Sequence, residues 1–246
     1  MLPTVILRQL RTRSLEQRFG YVSGPGLEPN VRYLQLAFNE HWAQARRILP
    51  LLPQSDRILI EAGTPYVKLE GMAGIHNIRA LWSGPIVADI KTTDGGAEEV
   101  AMVRAAGATA ATAMGSSPVE TLDRFIAGCE ELGMDSMIDM LGVKDPLKVV
   151  MQLRRPPRVV VLHRGRDEEG TRGKVIGYKH VNRLRSKFDV VISAAGGVDL
   201  REARSAIFNG ANIVVVNIVS PGKPWEGIPA DSDVGAIARE FLLTIE

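Results

Sequence analysis

The sequence predicts a single α/β chain closed into a (β/α)8 TIM barrel. Three observations carry this reading. Short β-rich runs alternate with longer helical patterns eight times along 246 residues. Several of those runs are apolar throughout, as in Val159-Val-Val-Leu162 and Ile213-Val-Val-Val216. Parallel strands buried on both faces look like that. No Gly-x-Gly-x-x-Gly turn follows an early strand, so an open dinucleotide-binding sheet fits less well.

The strands are expected at Arg32–Phe38, Ile58–Ala62, Ile86–Lys91, Thr109–Met114, Ser136–Met140, Val159–His163, Val190–Ala194 and Ile213–Val216. Helical patterns follow at His41–Leu49, Gly74–Leu81, Ala97–Ala106, Val119–Leu132, Pro146–Leu153, Val175–Lys187, Leu200–Phe208 and Val234–Leu243. Gly107, Gly133 and Gly210 each stand between a helix and the next strand, where a left-handed cap is expected. Asp145-Pro146 and Ser117-Pro118 place a capping side chain ahead of a proline at the first helical position. Residues 1–31 fall outside the period and form an N-terminal extension, with Ser23–Pro29 as a loop. The extension covers the barrel bottom or reaches a partner. Residues 32–246 form the barrel.

Composition excludes several classes. Apolar residues are 45% and charged residues 24%, so a barrel-sized core needs no disulfide or metal staple. Cys129, the one cysteine, lies in a helical pattern with no histidine nearby and reads as packing. No apolar run approaches the ~20 residues of a membrane span. Met1–Leu7 is too short an apolar segment for a secretory signal. A cytoplasmic protein without membrane contact is expected. The net charge is only +2. Arg8, Arg11, Arg13 and Arg18, and later Arg154, Arg155 and Arg158, have no interleaved aromatics. They read as solvated faces, and no nucleic-acid partner is expected.

In a parallel barrel, chemistry gathers at the C-terminal ends of the strands, and nearly every such end here is polar or glycine-rich. Asp89-Ile90-Lys91-Thr92-Thr93-Asp94 closes the apolar run Gly84–Ala88. Side chains two apart share a face, so Asp89 and Lys91 point one way and Ile86, Ala88 and Ile90 the other. Asp89 and Asp94 bracket the Lys91 ammonium. Groups so placed shift one another's protonation and can hold a charged intermediate. Glu61 ends the second strand, and with Asp89 on the adjacent strand end the two can share one hard divalent cation. His163 beside Arg166 is a candidate acid/base or substrate-orienting group. Gly196-Gly197 offers bare N–H groups for half of a phosphate cup, with the loop near Asn217 to Gly222 as the other half. Asn39 ends strand one. Asp139 ends strand five, with Lys144 close enough in sequence to pair with it.

From Leu34 to Val219 the chain resembles the orotidine-5'-phosphate decarboxylase superfamily. Within it, the chain is similar to the branch of 3-hexulose-6-phosphate synthase and 3-keto-L-gulonate-6-phosphate decarboxylase. The resemblance rests on Asp89-x-Lys91-x-x-Asp94, Glu61-Ala-Gly-Thr-Pro65 and Ile138-Asp-Met-Leu-Gly-Val-Lys-Asp-Pro146. His163-Arg-Gly-Arg166-Asp167 and Ala195-Gly-Gly197 add to it. Orotidine decarboxylases resemble one another in a lysine at the strand-two end and an Ile-Pro pair after the second aspartate. Glu61 and Gly95-Gly96 stand in those places here.

The resemblance implies Mg2+, with Mn2+ as another divalent option, bound by Glu61 and Asp89 and stabilising an enediolate of a sugar phosphate. It implies catalytic roles for Lys91, Asp94, Asp89, His163 and Arg166, and substrate contacts by Asn39, Gly196, Gly197 and Asn217. It implies a homodimer in which Asp94 reaches the neighbouring subunit's site. The expected activity is an aldehyde-lyase joining ribulose 5-phosphate and formaldehyde into a hexulose 6-phosphate. A decarboxylase of a 3-keto sugar-acid phosphate and a non-catalytic phospholigand- or partner-binding barrel are the alternatives. Two positions depart from the pattern: Asn39 stands where the family has aspartate, and Val216-Asn217-Ile218 where it has Gly-Arg.

Overall fold

The computed structural model describes residues 26–169 and 171–246. Met1–Leu7 and the arginines from Arg8 to Arg18 lie outside the described residues. Eight parallel strands close into the expected barrel. They are β1 Tyr33–Phe38, β2 Ile58–Ala62, β3 Ile86–Thr92, β4 Ala110–Met114, β5 Asp135–Asp139, β6 Val159–His163, β7 Val191–Ala195 and β8 Ile213–Val219. Each pairs with the next, and β8 pairs with β1 from Tyr33 opposite Ile213 to Phe38 opposite Ile218. A two-residue strand β9, Ile228–Pro229, adds to β8. It is too short to leave a pattern in the sequence. The helices are α1 Trp42–Ile48, α2 Thr64–Leu81, α3 Gly96–Ala106, α4 Val119–Glu131, α5 Pro146–Val150, α6 Val181–Arg185, α7 Leu200–Phe208 and α8 Val234–Thr244.

Strand alternation builds two apolar layers. Leu34, Ile60, Ala88, Ile138, Val160, Ile192 and Val214 face outward and pack with helical residues such as Phe125 and Leu184. Tyr33, Leu59, Val87, Met137, Val159, Val191 and Ile213 fill the interior. Leu27 joins this inner layer from below at 4% exposure. Its N–H donates to Asp135 Oδ2 at 3.1 Å, and Arg158 donates to its carbonyl. Asn212 Nδ2 donates to Pro29 O at 2.6 Å. Residues 26–31 therefore fill the N-terminal mouth of the barrel, which leaves the open mouth at the C-terminal strand ends.

Several local expectations change. Helix α2 begins at Thr64, ten residues before Gly74, because Pro65 starts it well. Gly71 breaks its regularity at φ 62° and ψ −156°, which hid the first half from the 3.6-residue period. Helices α5 and α6 are shorter than expected, and a 3-10 turn, Tyr178–His180, precedes α6. Neither expected cap forms. The Asp145 carboxylate accepts from Arg183 at 3.1 Å, and Ser117 Oγ donates to Thr92 O at 3.2 Å; both side chains found other partners. Asp199 and Asp233 cap α7 and α8 instead, accepting from Glu202 N and Ala236 N at 2.6 and 2.9 Å. Gly107 takes the left-handed C-cap position of α3 at φ 108°, and Gly133 and Gly210 are left-handed too.

Arg154 and Arg155 pair with Asp123 and Glu130, while Arg158 binds under the barrel. Cys129 is fully buried, and burial pushes its thiol well above its usual range, as packing requires. Among the described residues, no helix is long and apolar enough to cross a membrane.

Candidate active site

Strand β3 puts the key lysine in place by breaking its own regularity. Ala88 pairs with Ala111 and Thr92 with Ala113, so β3 carries two residues more than β4 across this stretch. Within the bulge Lys91 adopts φ 49°, alone among the described non-glycine residues in having positive φ. That conformation costs on the order of 1–3 kcal/mol and persists only where the surroundings hold it. They do so here: the Lys91 N–H donates to Thr112 Oγ1 at 3.0 Å. Its Nζ donates to Asp139 Oδ2 at 2.5 Å and to Asp89 Oδ1 at 3.2 Å.

Each carboxylate is anchored in turn. Asp89 Oδ1 accepts from Thr112 Oγ1 at 2.7 Å, and Thr64 Oγ1 lies 2.7 Å from Asp89 Oδ2. Asp139 Oδ1 accepts the Leu141 N–H at 2.9 Å. His163 Nδ1 sits 2.8 and 3.1 Å from the two Asp139 oxygens. An ionised carboxylate only accepts, so Nδ1 carries the proton and Nε2 is the ring nitrogen left for a ligand. The side chain of Asp139 is 3% exposed and that of Lys91 22%.

The charges follow from this packing. Burial alone would raise Asp139, but the His163 hydrogen bond and the His163 and Lys91 charges hold its pKa down at about 2. Burial alone would lower His163, yet Asp139 raises it. Burial likewise opposes the Lys91 ammonium, and Asp89 and Asp139 together push its pKa above the ordinary lysine range. Glu61 moves the other way: burial first, then the Asp89 charge, raise it to about 7. Gln35 Nε2 donates to Glu61 Oε2 at 2.5 Å and opposes that rise.

These groups line one cavity of about 420 Å³ in the open mouth of the barrel. Of the sequence candidates, Asn39, Glu61, Asp89, Lys91, His163, Arg166, Gly196 and Asn217 line it. Gly197 flanks it through the side chains of Arg164 and Glu169. Asp94 is exposed and lies outside the lining, with its Oδ1 accepting from the Gly95 N–H at 2.8 Å. The lysine is therefore bracketed by Asp89 and Asp139 within the chain, not by Asp89 and Asp94. The pairing weighed for Asp139 and Lys144 gives way to the Lys91 and His163 contacts.

Asn39 Nδ2 donates to Asn217 Oδ1 at 3.1 Å. The two positions that depart from the resembled motif thus bond to each other across the β1–β8 seam. Arg166 lies over the Trp225 ring at 4.1 Å, and Lys223 Nζ stands 5.3 Å from the same ring. Sequence reasoning placed Asp139 at a strand end without a role, and missed Gln35, Thr64, Thr112, Glu169 and Trp225. A polar residue at an inward position of an apolar strand was the available signal for Gln35 and Thr112.

The site suits a hard divalent cation. Glu61 and Asp89 face the cavity from adjacent strands, and the Asp89 charge disfavours that of Glu61. The buried Gln35 Oε1 has no hydrogen-bond partner among the described residues. Among those residues, no three His, Cys, Asp or Glu side chains converge as a ready-made ligand set. Two acidic oxygen ligands, completed by water or a ligand, match the habits of Mg2+.

Known proteins resemble this chain in sequence and in fold. The chain is 37% identical over 215 residues to the bifunctional enzyme Fae/Hps of Methanoculleus marisnigri, a match covering 85% of this chain and 52% of the relative. It is 34% identical over 212 residues to the Fae/Hps enzyme of Methanothrix thermoacetophila, with the same coverage, 85% and 52%. The chain therefore spans about half the length of these relatives. The structure of 3-hexulose-6-phosphate synthase from Salmonella typhimurium superposes with a TM-score of 0.75 at 25% identity, covering 87% of this chain and 98% of that one. KGPDC from Streptococcus mutans shares the fold, with a TM-score of 0.68 at 17% identity and coverage of 88% and 98%. The model of the Orotidine 5'-phosphate decarboxylase / HUMPS family matches residues 32–217, and the chain belongs to that family.

Proposed function

We propose that the chain is a Mg2+-dependent aldehyde-lyase of the 3-hexulose-6-phosphate synthase type, joining ribulose 5-phosphate and formaldehyde. The observation that carries this reading is the Lys91 ammonium, locked between Asp89 and Asp139 and within reach of the Glu61 charge. Glu61 and Asp89 would hold the ion, which when bound supplies positive charge to adjacent substrate oxygens. Lys91 stays protonated at the reaction pH and faces the oxygen or carbon on which negative charge develops as an enediolate. His163 offers its Nε2 to a substrate hydroxyl while Asp139 fixes the ring. Asn39 and Asn217 present amides to sugar hydroxyls. The test is formaldehyde consumption with ribulose 5-phosphate, and formaldehyde release from the hexulose product, with and without Mg2+. Turnover that persists in excess chelator removes the metal from the proposal. Carbon dioxide release from a 3-keto sugar-acid phosphate, without formaldehyde chemistry, replaces the lyase by the decarboxylase. Binding without either turnover leaves a phospholigand-binding barrel.

Metal affinity should follow pH. Glu61, raised to about 7 by burial and Asp89, must lose its proton to bind a cation. Mg2+ affinity measured calorimetrically should therefore climb as pH rises toward about 7 and level off above it. Glu61→Gln should abolish that slope and weaken binding at least tenfold. Equal affinity at pH 6 and pH 8 would remove Glu61 from the ligand set.

We further propose a homodimer with shared sites. Asp94 projects away from its own cavity, and α3 presents Met102 at 54% exposure beside a groove of about 190 Å³ shared with α2. Mixing Asp94→Asn with Lys91→Ala subunits should restore part of the activity that each lacks alone. A monomer in solution, or no rescue after subunit exchange, counts against it.

A further inference from the structure

The turn Gly196-Gly197 is where a phosphate would be cupped, and its surroundings already hold an anion. A Cβ built on Gly197 would stand 3.1 Å from the Glu169 carboxyl carbon and 2.3 Å from Arg164 Nη2. That nitrogen donates to the carbonyls of Gly196 and Gly197 at 2.9 and 3.3 Å. Glu169 lines the cavity, and its Oε2 is buried with no hydrogen-bond partner among the described residues. Burial, with the Glu226 charge, raises the Glu169 carboxyl above its usual range, and the backbone N–H of Glu226 and the charges of Arg164 and Arg166 oppose that rise. A backbone N–H, two guanidinium groups and a glycine turn are the set that recognises a phosphate.

We propose that Glu169 occupies the anion subsite of the free protein as an internal stand-in for a phosphate group, and that phosphorylated ligands bind by displacing it. This inference rests on the sugar-phosphate reading above, which supplies the phosphate. It goes further in assigning Glu169 a role that opposes binding. A carboxylate left beside a phosphate dianion repels it, and like charges juxtaposed in a binding site are strongly unfavourable. The side chain must leave the subsite, so each phosphorylated ligand loses affinity by the work of moving it. Inorganic phosphate has nothing else to contribute and loses proportionally most. A sugar phosphate offsets the loss through its contacts with the rest of the cavity. Glu169 thus weakens every phosphorylated ligand by the same step, and the bare anion, which has no other contacts, is the one left too weak to fill the site.

The inference is tested by calorimetric titration of the full chain with inorganic phosphate alone. Glu169→Gln removes the charge and keeps the shape. It should bind phosphate on the order of tenfold more tightly than the unaltered chain, and Glu169→Ala should do the same. Glu169→Asp, which keeps the charge on a shorter reach, should fall between. Unchanged phosphate affinity in both neutral variants overturns the inference. Weaker affinity also overturns it, by making Glu169 a prop for the two arginines. A gain of function cannot come from misfolding, so a destabilised variant cannot imitate the expected result. The reading on which this rests fails separately, through absence of formaldehyde turnover in a protein that still shows the phosphate effect.

Discussion

Lys91→Ala should lose turnover on the order of 10²-fold or more, the loss expected for a positioned proton donor. The binding of substrate should change far less, because the proposed phosphate and hydroxyl contacts lie on other strands. The structure makes the expectation sharp. The ammonium is fixed by two carboxylates and by a left-handed backbone, so no neighbouring cation can swing into its place. Arg166 is engaged with Trp225 at 4.1 Å, on the far loop. Steady-state kinetics on the variant, with circular dichroism to confirm the barrel, decide the matter. Near-normal kcat would sink the assignment.

Asp139→Ala should damage both stability and turnover. It leaves the Lys91 ammonium with one partner and the His163 ring with none at Nδ1. Breaking a buried pair from one side typically costs about 3–5 kcal/mol, and a urea midpoint reports it. Turnover should fall by about 10² as well, since both groups proposed to act on the substrate, Lys91 and His163, lose their orientation. The pH dependence has a definite sign. The Asp139 carboxyl titrates at about 2 in the folded chain and at about 3.9 when unfolded. Its contribution is therefore complete above pH ~4 and is lost as pH falls toward ~2. The unaltered protein should lose stability across that window more steeply than Asp139→Ala. If both curves run parallel, the ion pair carries no stability.

Much of this was legible in the sequence because barrels obey a period. Apolar runs such as Val159–Leu162 mark buried strands, and the rule that chemistry sits at their C-terminal ends located eight cavity-lining candidates. What failed was long-range pairing. Asp139 and Lys91 are 48 residues apart, and nothing in a linear string says that their ends converge. Lys144 was nearer in sequence and was the wrong partner. Asp94 divides: it does not bracket Lys91, whose partners are Asp89 and Asp139, but the short glycine-rich connection Thr92–Gly96 does carry it outward to an exposed position. Caps failed at Asp145 and Ser117 because a side chain with one good acceptor or donor will take a distant partner if the fold presents one.

The bulge in β3 also has an arithmetic side. From Ala88 to Thr92 the strand takes four steps while β4 takes two. The surplus is even, so outward residues stay outward on both sides of the irregularity: Ala88 and Thr92 both meet alanines of the same face. Side-chain direction along a strand behaves like a reading frame of two. Losing or gaining a single residue between these positions would hand the amine to the helical layer and turn a threonine into the cavity. A change of two would preserve the frame and merely slide the amine along the rim. The face that Lys91 presents is thus set by parity: a single-residue insertion in this strand turns the amine out of the cavity, whereas a paired one keeps its face and moves it off Asp89 and Asp139.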